Sequence, residues 1–497
     1  MKGIAQFYLA LFIVLFSLGF LFEVENLSNI SFVYLLTALG LFWLNYTEQF
    51  RDTKDTLNVL IKPLGTVLLM FTIYDVLSLL PAIFEMKTLE HPLPQDILER
   101  TIWLFLAGIF CFWIGFFLNI GRAVSNSLTL NFERQFSFDS AAIVQISKTY
   151  LALGVVLYVL AVWTAGYATP IQAALDMSEF RRKAFSLGAT TAIATFMTYA
   201  LLIPKTLFFA FLANAKHQFE QSQWRFWIAF FIIESAIWVS FGIRGNFVLT
   251  GFLAIVMWYH RYRKIPVLTI LFLGVLLGGI VALLGEVRDV LALSTSERAA
   301  LERVRDQLNL SWYEIAFGTV LKRLDALHRF GEIVEGFSTV YSENDLLYGK
   351  GTLGDLIAYI PRQLLPFEKP YQTTYYFMEM FYPKLLSIFS FEMSIFGEGY
   401  MNFGALGTFI TLFLFGIFIR TLNELFREER LLDNSKFYFW YFLLFFPVFL
   451  LVNQGFTGGL PNFVLTVLWG AIALGVLSRR SALNLAQTSN PNSTATS

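Results

Sequence analysis

A single cysteine in 497 residues, Cys111, leaves no disulfide to be formed within the chain. Because it lies inside an apolar run, it also says nothing about redox compartment. Histidine is almost as scarce, with four, and charged residues make up only 14% of the chain. The formal net charge is zero, which carries no information on partners, since the charges of a membrane chain sort by side. There is no HExxH, Walker or GxSxG motif, no Cys/His metal spacing and no nucleic-acid module. A DxD-like metal pair is also missing from the exterior connections, Glu23 and Glu25 being a poor approximation. Internal repeats and heptad arrays are absent. The N-terminus has Lys2 before a long apolar run, without the short core and small-x-small site of a cleaved signal, so Met1 to Phe22 reads as a retained first helix.

What is present in excess is apolar surface. Hydrophobic residues are 56% of the chain, 55 residues are Phe and the mean hydropathy is +0.61, the composition of a polytopic membrane protein. Runs long enough to cross a bilayer fall near 4–23, 29–47, 59–84, 99–120, 149–167, 190–214, 225–243, 246–260, 265–285, 395–419, 437–453 and 461–478, about twelve in all. The second and eighth are short. Lys and Arg bias the orientation: with a cytoplasmic N-terminus about 18 fall on inside connections and about 6 on the short outside ones. That topology places both termini in the cytoplasm and the long interval 286–394 outside, on the periplasmic face. The fold expected is an all-α polytopic membrane protein, with residues 1–480 as one transmembrane domain that includes this loop. The Ser/Thr/Asn-rich residues 481–497 are expected to be a disordered cytoplasmic tail.

The long loop is rich in Phe, Leu and Tyr and must pack on the helices beneath it. Within it, Trp312 to Val334 has apolar residues at three- and four-residue steps, predicting an amphipathic helix at the membrane surface. Tyr348 to Gln372 follows, with a flexible start at Gly349 and Gly351 and a short apolar helix stopped by Pro361 and Pro366, leaving Arg362 and Lys369 on a turn.

Exterior connections need no basic residues for topology, so those present call for another reason. Arg181 and Arg182 lie between the fifth and sixth spans, Arg244 in the turn FGIRGNF between the seventh and eighth, and Arg323 and Arg362 in the long loop. A guanidinium holds phosphate bidentately and keeps its charge at any relevant pH. Several at one face would seat a lipid-linked pyrophosphate; the alternative is that each pairs with loop carboxylates or lipid headgroups. Glu398 and Asn402, in FGEGYMNFGALG at the start of the tenth span, lie one turn apart on one face. Glu398 could accept a proton from an attacking hydroxyl or orient an arginine, or simply favour a helix N-terminus. The glycines around it suit close helix packing. His328 has the chemistry of a general base near neutral pH, or of a structural residue.

The order of these elements resembles the oligosaccharide repeat-unit polymerases, the Wzy-type O-antigen polymerases. The resemblance rests on Gly242-Ile243-Arg244, Arg323-Leu324-Asp325, the run IPRQLLPFEKP from Ile360 to Pro370 and GEGYMNFGALG from Gly397 to Gly407, and covers roughly residues 140 to 475. It implies a glycosyltransferase-C-like bundle in the bacterial inner membrane that transfers a growing glycan from undecaprenyl pyrophosphate to a new lipid-linked repeat unit. The energy lies in the sugar–pyrophosphate bond, so neither cofactor nor metal is implied. The resemblance further implies that Arg181, Arg182, Arg244, Arg323, Arg362 and Lys369 hold pyrophosphate and that Glu398 or His328 deprotonates the acceptor. A flippase and a chain-length regulator are its expected partners. Two other readings stay open. An O-antigen ligase shares the architecture and depends on a loop histidine. A transporter or flippase for lipid-linked oligosaccharide would fit twelve spans, though no paired halves are visible.

Overall fold

The computed structural model describes residues 65, 67, 71, 93–129, 139–176, 180, 188–214, 217–241, 245–262, 326–357, 365–368, 370–382, 393–426 and 435–488. Among the described residues the chain is all helical, with 13 α-helices and no strand. Five helices are long and apolar enough to cross a membrane: Gln95–Phe117, Ser140–Thr164, Ala192–Ala213, Ser394–Leu425 and Gly459–Leu477. The protein is a multi-pass membrane protein. The expected spans 4–23, 29–47 and 265–285, and nearly all of 59–84, lie outside the described residues; each of the other eight coincides with a helix.

The chain forms two compact units. The first comprises Met1–Leu130, Val304–Phe426 and Pro447–Asn462, the second Asn131–Arg303, Arg427–Phe446 and Phe463–Ser497. In the first unit α1 (Gln95–Phe117) and α2 (Asn119–Thr129) are separated by extended backbone at Leu118. After them come α8 (Ala326–Thr339), α9 (Lys350–Leu356), α10 (Thr373–Phe381) and α11 (Ser394–Leu425). In the second unit lie α3 (Ser140–Thr164), α4 (Pro170–Leu175), α5 (Gly188–Ala213), α6 (Gln221–Ser240) and α7 (Gly245–Tyr262). The last two helices, α12 (Ser435–Gln454) and α13 (Phe456–Thr488), contribute to both.

In lipid, apolar side chains gain little by leaving the solvent for one another, so helices associate where small residues let backbones touch. α1 and α11 meet this way. A Cβ on Gly115 would strike the Phe413 carbonyl, and one on Gly416 the Phe112 carbonyl. Aromatic rings fill the seam beside them, Phe105 stacking on Phe396 at 4.4 Å between centroids. In the second unit Gly154 of α3 takes Leu201 of α5 into the same kind of gap. The opposite face of α3, with Leu153, Val156, Val159, Leu160 and Trp163, is exposed, as a face turned to lipid requires. Gln223 accepts from the Glu220 N–H at 3.0 Å and donates to Ser140 Oγ at 3.1 Å, joining the starts of α6 and α3.

Two elements differ from the sequence expectation. α11 is broken: Phe403 (φ −147°, ψ 24°) and Gly404 (φ 64°, ψ −153°) leave the helical region, and the conformation at 404 is open only to glycine. Residues 394–402 and 405–425 therefore form two helical segments. They press together at Gly399, where a Cβ would lie 2.7 Å from Thr408 Cα, and Thr408 Oγ1 donates to the Phe396 carbonyl at 3.1 Å. At the C-terminus, α13 runs on to Thr488, so residues 481–488 are helical where a disordered tail was expected. SALNLAQT is rich in Ala, Leu and Gln and follows a long helix, so it propagates rather than nucleates. Residues 489–497 lie outside the described residues.

Candidate functional site

Of the predicted site residues, Arg181, Arg182, Arg244, Arg323, Arg362 and Lys369 lie outside the described residues. His328 and Glu398 lie within them, both in the first unit. The predicted helix Trp312 to Val334 is described from Ala326 and continues to Thr339. Its apolar side (Ala326, Leu327, Phe330, Ile333 and Val334) is buried. Phe330 packs on Phe396 and Tyr400 of α11, and Gly397 of α11 takes in the Ile333 side chain.

On the other side of α8, His328 and Glu332 stand one turn apart. His328 Nε2 lies 3.6 Å from Glu332 Oε1, and the two side chains are 18% and 28% exposed. Tyr382, the residue that ends α10, donates its hydroxyl to the second carboxylate oxygen, Glu332 Oε2. Tyr341 donates to the Met380 carbonyl at 2.6 Å, and Gly336 leaves room for Phe381, so the end of α10 is fixed at three points against α8 and the turn that follows it. A histidine, a carboxylate and a phenol thus converge at a partly exposed surface.

The other end of α10 leads to Glu398. Thr373 donates its N–H (3.3 Å) and hydroxyl (2.7 Å) to the buried Asp355 carboxylate of α9. Asn402 Nδ2 faces Thr373 Oγ1 at 3.4 Å and donates to the Glu398 carbonyl at 3.0 Å, while Asn402 Oδ1 accepts the Thr352 N–H at 3.3 Å. The break in α11 explains the remaining contacts. It releases the carbonyls of Met401 and Asn402, which accept the N–H groups of Leu347 and Tyr348, both at 2.9 Å. The glycines of YGKGTLG are committed to this packing. Gly349 begins α9 with φ 83°, Gly351 faces Thr373, and Gly354 lies on the Tyr371 carbonyl. Nearby, the Ser342 N–H and hydroxyl hold the Asp345 carboxyl below the usual carboxylate range.

Glu398 is 2% exposed, and its carboxylate lies against the backbone of Gly455, where the chain turns between α12 and α13 at φ 97°.

The second unit contains a polar group that the sequence reading passed over. Lys205 of α5 (0% exposed) and Glu234 of α6 (2% exposed) form an ion pair at 2.5 Å. Asn246 of α7 bridges them, accepting from Lys205 Nζ at 2.8 Å and donating to Glu234 Oε1 at 3.0 Å. Trp238 Nε1 adds a third donor to the same oxygen at 3.1 Å. A lone charge inside an apolar span was the visible signal, since such residues are costly without partners. Glu332 was visible too, one turn from His328. Asp355, Thr373 and Tyr382 had no sequence signal, because their partners are distant in the chain.

Comparison with known proteins gave no match: no family model, no curated protein and no solved structure matches this chain.

Proposed function

We propose that this chain is a membrane-embedded glycosyltransferase that polymerises lipid-linked oligosaccharide repeat units at the outer face of the bacterial inner membrane. Its architecture in this reading is a twelve-span, glycosyltransferase-C-like bundle whose long exterior loop carries the chemistry. The donor and acceptor are glycans on undecaprenyl pyrophosphate, and a flippase and a chain-length regulator are the partners. The observation that carries the reading is the accessible His328, backed by Glu332 and Tyr382, within the loop whose motif order resembles such polymerases.

Each residue has a defined task. His328 takes the proton of the acceptor hydroxyl as that oxygen attacks the anomeric carbon of the donor. The bond from that carbon to the pyrophosphate oxygen breaks, and the lipid pyrophosphate leaves with the electron pair. Arg181, Arg182, Arg244, Arg323, Arg362 and Lys369 hold the two pyrophosphates, and Arg244 and Arg323 also stabilise the developing charge. Glu398 acts from within the packing, supporting the segment on which the loop rests. The same base would serve a ligase that delivers finished glycan to a lipid core, a reading that the accessible loop histidine also favours.

Removing a general base lowers rates by about 10²–10⁴-fold. In cells carrying His328→Gln, Arg244→Ala or Arg323→Ala, surface glycan is expected to shorten to one or a few repeats while the protein stays in the membrane. Full-length polymer in all three strains would overturn the assignment.

A further inference from the structure

We propose that Glu332 and Tyr382 are positioning residues that hold His328 in a single tautomer, with its proton on Nε2, so that Nδ1 is the nitrogen left to take up a proton. A neutral imidazole carries one N–H and one lone pair, and the group that each nitrogen faces biases which of them keeps the proton. Glu332 Oε1 faces Nε2 at 3.6 Å. That distance is beyond hydrogen-bond reach, so the ionised carboxylate acts through its charge, favouring a proton over a lone pair on the nitrogen it faces and hence the Nε2–H form. The carboxylate, partly buried on α8, is held in place by Tyr382, whose hydroxyl occupies Oε2 and is itself fixed by the docking of α10. The geometry is that of a base with an orienting carboxylate behind it, the logic by which histidine bases are aimed elsewhere.

The role rests on the glycosyl-transfer reading. In that step the acceptor O–H bond breaks and its proton passes to Nδ1, while the new glycosidic bond forms and the lipid pyrophosphate departs with the electron pair. The imidazolium so formed keeps its Nε2–H toward Glu332, whose negative charge stabilises it, and later releases the extra proton from Nδ1 to water.

The tautomer is measurable without substrate. The chain has four histidines, so nitrogen NMR of the full-length protein in lipid nanodiscs, labelled at histidine, gives few signals, and His328→Gln identifies the relevant one. At alkaline pH, where an imidazole is neutral, the wild-type protein is expected to show His328 with Nε2 protonated and no detectable Nδ1–H form. Glu332→Leu is expected to bring the Nδ1–H form into view, as in a solvated imidazole, and Tyr382→Phe to do so in part. Glu332→Leu removes one of the three contacts that hold the end of α10, so the thermal stability of the variant is measured beside its spectrum. A tautomer mixture in the wild-type protein, or a His328 signal unchanged by Glu332→Leu, would overturn the proposal. Both results are independent of glycosyl transfer, which the cell's polysaccharide decides separately.

Discussion

Lys205→Met is expected to remove most of the folded protein from the membrane, while Lys205→Met combined with Glu234→Met restores much of it. The pair is enclosed by α5, α6 and α7, and Asn246 and Trp238 complete its hydrogen bonds. Taking away Lys205 alone leaves a buried carboxylate with two neutral donors and no opposing charge. Breaking such a pair costs about 3–5 kcal/mol, a large part of the ~5–15 kcal/mol that keeps an ordinary domain folded. Replacing both partners by apolar groups of similar volume removes the charge and its desolvation together, and in comparable cases is neutral or stabilising. Yield and thermal stability of the detergent-solubilised protein check this. A double variant no better than the single one would show that the pair does something that neutral packing cannot replace.

Gly407→Val is expected to be the next most damaging change. Its Cβ would enter the Gly399 carbonyl, so the two segments of α11 would have to separate. Overpacking of this kind costs about 1–3 kcal/mol and sometimes more, and here it is transmitted. Residues 394–402 carry Asn402, the carbonyls that hold Leu347 and Tyr348, and the groove for Ile333 of α8. The variant is therefore expected to expose residues 343–356 to limited proteolysis as well as to lower the melting temperature. Val464→Ala, at an exposed position of α13, is the control and is expected to change stability by no more than about 0.5 kcal/mol. Equal effects of the two substitutions would contradict this account of α11.

The helices were legible in the sequence because a membrane span needs a long apolar run and little else, and eight such runs match helices. The break in α11 was not. GEGYMNFGALG presents glycines that pack helices (Gly399 and Gly407) beside one that interrupts the helix (Gly404), and composition alone does not separate the two uses. Periodicity located α8 and its apolar side, because those residues recur with the helical repeat. Its partner across the site, Tyr382, is fifty positions from Glu332 and entered through the fold alone. Glu398 and Asn402 were recognised as neighbours on one face. Their burial, Asn402 against α9 and Glu398 against Gly455, depends on contacts that no local pattern encodes. The lone charges Lys205 and Glu234 were readable as exceptions within apolar spans, but their pairing needed three helices in place.

The surface-polysaccharide ladder of cells lacking this chain tests the proposed function most directly. The account predicts a ladder collapsed to a single capped repeat unit, restored when the wild-type chain is returned. Loss of even that capped unit would assign the chain to ligation or flipping, and an unchanged ladder would contradict a role in polymerisation.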